Sequence, residues 1–420
     1  MNRVNVTLPY GETAIGAGVP ATNLMGIYQI AATPAGADEA ALLENALAHP
    51  IGTGRLKEVA APGKRVAIVI SDLTRPCPSD RMLPAVLGEL QEAGVADDDI
   101  TIIVALGLHR PMSDAELETA VGPAIYRRVV VVNHDPADCA YLGQTSRGTP
   151  IELYRPLVEA DLRVCLGNLE FHYFAGFSGG AKAILPGCAS RATINANHAM
   201  MVQSEAAAGR IAGNPVRADI EEGVAVLGCD FIFNAVVDER HRIVGAVAGH
   251  VIEAHRRGCE MVAQRGRVML PAKADIVLVS AGGYPKDVNL YQAQKALDNA
   301  AYAVRDGGII ILLAECREGF GNATFESWLR EAKTPGDLLA WIQREFVLGG
   351  HKAAAIGAVL QRASVHLISD LPAEEVSACG MTPFTDVEAA IAAAVETVGP
   401  AARIAVIPAG GSVLPAIEPA

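Results

Sequence analysis

From Arg65 onward the chain settles into a rhythm of short aliphatic runs separated by longer segments with apolar residues at helical spacing. The first four runs are RVAIVISD, ITIIVALG, RVVVVNHD and DLRVCLGN. Each is too short for a buried helix and rich in β-branched residues, so the pattern predicts βα units around a parallel sheet. A helix is expected to be capped near Ser79, and another to open at Ser113, with Glu116 three residues on completing a capping box. Upstream, residues 4–8 and 13–15 read as two short strands joined at Pro9-Tyr10-Gly11. A loop-rich stretch follows, then a helix over residues 38–48 with Asp38 as its N-cap.

After the fourth run comes a Gly-rich stretch, then a helix over residues 190–206 capped by Ser190, and a break at Gly213-Asn214-Pro215. FIFNAVVD and RIVGAVAG read as a hairpin joined at Glu239-Arg240-His241, and residues 250–264 as a helix. The polar stretch 265–273 reads as a domain junction, because a fresh βα series starts beyond it: DIVLVSAGG, a helix with Tyr291, Gln292 and Lys295, then GGIIILLAEC and RASVHLIS. Thr385 is placed as the cap of the last long helix, and the closing ARIAVIPAGGSVLP as a strand returning to the first domain. The expected architecture is therefore α/β, with two parallel-sheet domains: residues 1–268 completed by 403–420, and residues 269–402.

Composition narrows the function classes. A length of 420 residues exceeds one ordinary core, which supports two domains. With 47 acidic against 34 basic residues, the net charge of −13 gives no footprint for nucleic acid or an anionic membrane, so neither is expected as a partner. No stretch has the uninterrupted apolar length of a membrane span. The eight cysteines are scattered without a CxxC pair, which excludes a zinc knuckle or disulfide framework and suits a reduced cytoplasm. The opening MNRVNVTLPYGETAI lacks the basic and apolar regions of a secretory signal, so a cytoplasmic location is expected.

The candidate chemistry sits where the runs end. Asp72, Thr74 and Arg75 follow the first run, His109 the second, His134 and Asp135 the third, Glu170 and His172 the fourth. Carboxyl ends of strands are where open α/β sheets bind ligands. The stretch GNLEFHYFAGFSGGAKAILPGCASRATINANH then brings His172, Lys182 and His198 together with small residues. Each has a plain structural reading: His172 as a half-buried ring, His109 bonded to a loop carbonyl, His198 packed on a helix, Arg75 an exposed cation. Lys182, among Ala, Ile, Leu and Pro, is the least at ease without a use. SGGAKA lacks the Ser or Thr of a phosphate loop, SAGG lacks dinucleotide spacing, and there is no HExxH. A lone histidine would bind a metal weakly without donors from elsewhere.

Taken together, SDLTRP, ALGLHRP, EFHYFAGFSGGAKAILPG, NANH and YPKDVNLYQAQKAL resemble, in order and spacing, the nickel-pincer-nucleotide-dependent lactate racemase family of 2-hydroxy acid racemases and epimerases. The resemblance implies two α/β domains with the active site in the cleft between them. It implies a nickel pyridinium-3-thioamide-5-thiocarboxylic acid mononucleotide joined to Lys182, with His198 as the nickel ligand. His109 and His172 match the acid/base pair of a proton-coupled hydride transfer. Arg75, Tyr291, Gln292 and Lys295 match substrate-holding residues, and Asp72 and Thr74 match contacts to the cofactor nucleotide. The implied partners are a small 2-hydroxy carboxylate and the enzymes that make the cofactor, with a homo-oligomer left open. Residues 349–353 lack the tryptophan of lactate-acting members, Trp328 and Trp341 lying upstream, so the substrate side chain is left unassigned. The competing reading is a non-catalytic nucleotide- or carboxylate-binding protein on the same scaffold.

Overall fold

The computed structural model describes residues 2–30, 38–238 and 241–418. The chain forms two compact units, residues 32–264, and residues 1–31 together with 265–420.

In the unit of residues 32–264 the four apolar runs become the strands Val66–Ser71, Ile100–Ala105, Val130–Asn133 and Leu162–Asn168. With Phe231–Val237 and Ile243–Gly249 they form one sheet, in the order Ile243–Gly249, Phe231–Val237, Leu162–Asn168, Val66–Ser71, Ile100–Ala105, Val130–Asn133. Neighbours are parallel except at the Ile243–Gly249 edge. The first of these four strands, Val66–Ser71, thus lies beside the fourth, Leu162–Asn168, and strand order reverses between them. This is the topological switch point at which a doubly wound sheet opens a crevice.

Successive side chains of the central strand serve opposite faces. Ile68 and Ile70 join Met82 and Leu83 of the Ser79–Glu92 helix, whereas Val69 packs with Cys165, Ile184 and Leu185. The Gly-rich stretch therefore covers one sheet face and contributes Phe174, Ala181 and Cys188 to the core.

The caps at Asp38, Ser113 and Ser190 form as expected, each side chain accepting backbone N–H groups of the following turn. The helix after Ser190 stops at Ala199, seven residues before its expected end, and tightens into a 3-10 turn over Met200–Val202. The Ser79–Glu92 helix starts where expected, but with Pro78 rather than a side-chain cap. The Phe231–Val237 hairpin is present; Glu239 and Arg240 of its expected turn, and residues 31–37 of the expected loop, lie outside the described residues. A hairpin of Cys139–Gln144 with Pro150–Tyr154 was not anticipated. A register shift between Tyr141 and Gly143 breaks the alternation that would have revealed it.

The other unit has an all-parallel sheet in the order Thr382–Phe384, Ser364–Ile368, Val304–Leu313, Ala274–Ser280, Ile404–Ile407, Leu24–Ile27. Both chain ends belong here, in contrast to the expected division. Leu24–Ile27 pairs with Ile404–Ile407, and Leu414–Ile417 with Arg267–Leu270 of the stretch read as a junction. The opening hairpin, Arg3–Tyr10 with Thr13–Pro20, is longer than expected and lays Val6, Leu8, Ala17 and Val19 against Leu278 and Ile311. Strand patterning identifies such segments but does not say which sheet edge they join. The last long helix, Val387–Val398, is capped by Asp386 rather than Thr385. Among the described residues no helix is long and apolar enough to cross a membrane.

Candidate active site

The switch point places Asp72 at the end of Val66–Ser71 and His109 beyond the adjacent Ile100–Ala105. Asp72 is 5 % exposed and takes three hydrogen bonds: from Thr74 N–H at 2.8 Å and Thr74 Oγ1 at 2.5 Å to Oδ1, and from His109 Nδ1 at 2.6 Å to Oδ2. Burial alone would raise this carboxyl, but the bonds from His109 and Thr74 prevail and hold it below its ordinary value. An ionised carboxylate only accepts, so Nδ1 of His109 carries the hydrogen and the neutral ring keeps its lone pair on Nε2. The His109 side chain remains 31 % exposed, so it is held yet reachable.

The Gly-rich stretch is fixed from beneath. Gly176 has φ 77°, and a Cβ there would come within 2.1 Å of the Arg210 carbonyl oxygen, so only glycine fits. Arg217, 1 % exposed, donates from Nε to the Ala175 carbonyl at 3.2 Å and from Nη2 to that of Phe177. Asn234 Oδ1 accepts the Gly180 N–H at 2.8 Å, and His255 Nε2 lies 2.9 Å from the Ser178 carbonyl oxygen.

Phe174, buried in the middle of this stretch, touches three candidate residues. Its ring centroid lies 4.6 Å from that of His172 and 4.9 Å from that of His198, and Nζ of Lys182 lies 5.9 Å above it. His172 accepts the Ala175 N–H at Nδ1 over 3.3 Å, so its neutral ring carries the hydrogen on Nε2, the tautomer opposite to that of His109. Burial, and then the charges of Lys182, Arg75, His198 and Arg217, hold His172 well below the usual histidine range. Burial and the cations Arg75 and Arg217 likewise hold Lys182 far below the usual lysine range, opposed only by Glu170. Such a shift makes the neutral, nucleophilic form of the amine easier to reach than in an ordinary lysine. Arg75 itself is exposed, on the loop after Asp72. His198 is 9 % exposed, on the Arg191–Ala199 helix.

Among the described residues no group of three or more His, Cys, Asp and Glu side chains could hold a metal ion. A metal at His198 would need donors from outside the protein, and the buried amine of Lys182, sharing the Phe174 ring with it, is placed where a group that brings them could be attached. The residues therefore fit a tethered metal-bearing cofactor. The side-chain nitrogen of Asn168, buried at the end of the Leu162–Asn168 strand, has no hydrogen-bond partner among the described residues.

The remaining candidates lie in the other unit, on the Leu290–Ala303 helix capped by Asn289. Gln292 and Lys295 are exposed there one turn apart, and Tyr291 is half-buried. Sequence reasoning missed Lys352, which is buried, donates to the Tyr291 carbonyl at 2.5 Å and lies 4.0 Å over the Tyr291 ring. Asp298 on the same helix is pushed up to about 6 by burial, against the influence of nearby Gln294 and the charge of Lys352. Trp328, upstream in sequence, rests on Gly350, where a Cβ would meet its ring at 2.7 Å. Arg217, Asn234 and His255 were also missed, because nothing in their local sequence links them to the distant loop they hold.

The fold and these strand-end residues define a two-domain α/β enzyme. Residues 10–209 match the family model of the lactate racemase N-terminal domain, and residues 269–415 that of the lactate racemase C-terminal domain. The chain is 35 % identical over 422 residues to a lactate racemase of Thermoanaerobacterium thermosaccharolyticum, covering 98 % of this chain and 99 % of the relative. It is also 35 % identical over 344 residues to a lactate racemase of Lactiplantibacillus plantarum, covering 80 % of each. The structure of the lactate racemase apoprotein from Thermoanaerobacterium thermosaccharolyticum superposes with a TM-score of 0.91 over 98 % of this chain and 100 % of that one, at 35 % identity. A Thermotoga maritima protein shares the fold at a TM-score of 0.63 and 19 % identity, over 86 % of this chain and 96 % of that one. This chain belongs to the lactate racemase family, and its class of enzyme is the isomerases.

Proposed function

We propose that this protein inverts C2 of a small 2-hydroxy carboxylate, with His109 and His172 as the two proton-transfer groups, Lys182 as the attachment point of a nickel-pincer nucleotide and His198 as the nickel ligand. The observation that carries the reading is the pairing of a carboxylate-held His109 with a cluster of His172, Lys182 and His198 around Phe174. When bound, the cofactor would accept the Cα hydride and return it, which spares the chain from making a carbanion beside a carboxylate.

The chain's own residues then have separable tasks. His109 offers its Nε2 lone pair to the substrate hydroxyl proton, while Asp72 holds the ring and stabilises the imidazolium. His172 would serve the opposite enantiomer. As an imidazolium it gives its Nε2 proton to the alkoxide of one product. The neutral ring left behind, with its Nε2 lone pair free, takes the hydroxyl proton of the other enantiomer, which requires the Nδ1 contact with the Ala175 N–H to open. Burial, and then the charges of Lys182 and Arg75, hold His172 below its ordinary value, and acylating the Lys182 amine would remove one of those charges. Arg75, Tyr291, Gln292 and Lys295 are the proposed donors to the substrate carboxylate. Asp72 and Thr74 are retained as neighbours of the cofactor nucleotide, although the Asp72 carboxylate is already bonded to Thr74 and His109. The relatives' name supports lactate or a close 2-hydroxy acid as substrate.

The test is intact-mass measurement of protein co-produced with cofactor-making enzymes, alongside Lys182→Ala and a panel of single-enantiomer 2-hydroxy acids. The parent should carry a covalent mass increment that Lys182→Ala lacks, and should racemise at least one acid. An unmodified, inactive parent would overturn the proposal.

A further inference from the structure

The helix carrying His198 is held by a chain of buried polar groups with no part in proton transfer. Asp219 and Asn197 are both fully enclosed. Thr145 and Thr149, in the turn of the Cys139–Gln144 and Pro150–Tyr154 hairpin, donate their hydroxyls to Asp219 at 2.6 and 2.8 Å. Thr145 Oγ1 also accepts the Thr149 N–H at 3.1 Å, so its one hydrogen is committed to the carboxylate. The third donor is Nδ2 of Asn197, 2.8 Å from Oδ2 of Asp219 and 3.3 Å from the Val216 carbonyl oxygen.

A carbonyl oxygen cannot donate, so the Asn197 amide has one workable orientation, nitrogen toward Val216 and Asp219, oxygen toward His198. That oxygen lies 3.1 Å from Nδ1 of His198. An amide oxygen only accepts, hence Nδ1 carries the ring hydrogen and the lone pair resides on Nε2. Turning the amide over would set its oxygen against the Asp219 carboxylate and the Val216 carbonyl oxygen in a buried site.

We infer that Asn197 and Asp219 are positioning residues that fix the tautomer of His198 and thereby make Nε2 its metal-binding nitrogen. The inference rests on reading His198 as the nickel ligand. It also gives the Cys139–Tyr154 hairpin a role, because its turn supplies both threonines. Groups that bond the second nitrogen of a metal-binding histidine typically change metal affinity by about 10- to 100-fold when removed.

The test uses two readouts. In cofactor-free, ¹⁵N-histidine-labelled protein, long-range ¹H–¹⁵N spectra should show His198 protonated at Nδ1, with the resonance assigned by loss in His198→Gln. A parent ring protonated at Nε2 overturns the inference without any Asn197 variant. Asn197→Leu, similar in size, should shift the ring toward the Nε2–H form. In protein carrying the cofactor, Asn197→Leu should lose nickel to EDTA about 10- to 100-fold faster than the parent with an unchanged mass increment on Lys182. An Asn197→Leu protein with the parental tautomer and parental nickel retention sinks the inference. Absence of the increment from the parent instead sinks the cofactor reading and leaves the tautomer result to stand by itself.

Discussion

Oδ2 of Asp72 lies 2.6 Å from Nδ1 of His109, a contact between the ends of two adjacent parallel strands. The carboxylate decides which ring nitrogen of His109 can accept a proton. In Asp72→Asn an amide can donate to Nδ1 instead, moving the ring hydrogen to Nε2. Turnover should fall by about 10²- to 10⁴-fold, with an unchanged circular dichroism spectrum and an unchanged mass increment on Lys182. A variant with parental turnover would refute the positioning role of Asp72.

The two histidines hold opposite tautomers, and inversion needs both faces of the substrate served. His109→Ala and His172→Ala should each reduce racemisation by about 10²- to 10⁴-fold without loss of fold. The double variant should be little worse than either single one, because either loss already interrupts the cycle. Enantiomer interconversion followed by chiral chromatography measures this.

Arg217 supplies two hydrogen bonds to the carbonyls of Ala175 and Phe177, flanking Gly176. Arg217→Leu keeps bulk but strands both acceptors, and should cost about 2–5 kcal/mol in urea unfolding. The cofactor-free protein should show the loss, since the Gly-rich stretch also covers a sheet face.

His134, 2 % exposed, is lowered by burial from 6.5 to about 4, and its ring meets Tyr154 edge-on at 5.4 Å. The unfolded chain takes up this proton near its ordinary value while the folded protein does not. Stability therefore falls as pH drops from about 6.5 to about 4, by up to about 3 kcal/mol from this group. His134→Phe, which retains an aromatic edge for Tyr154, should flatten that part of the profile in melting temperatures measured from pH 7 to pH 4.5.

Much of the catalytic half was legible because its chemistry sits at strand ends, where a short apolar run and the first polar residues after it are adjacent in sequence. Asp72, His109 and His172 could be picked out in that way. Their relations could not, because the bond from His109 to Asp72 depends on two strands being neighbours in the sheet. Arg217, Asp219 and Lys352 look like ordinary helix residues in sequence and gain their significance from the buried acceptors around them. The Cys139–Tyr154 hairpin escaped because its alternation is broken by a register shift.

By itself the sequence determined the α/β class, the strand positions, the caps at Asp38, Ser113 and Ser190, and the family motifs, all of which reside in residues a few positions apart. Tertiary structure alone decided which sheet the two chain ends join, which tautomer each site histidine adopts, and how far Lys182 departs from an ordinary lysine. Those outcomes depend on pairing partners, hydrogen-bond acceptors and neighbouring charges that come from distant segments, and only the folded chain brings them within a few ångströms of one another.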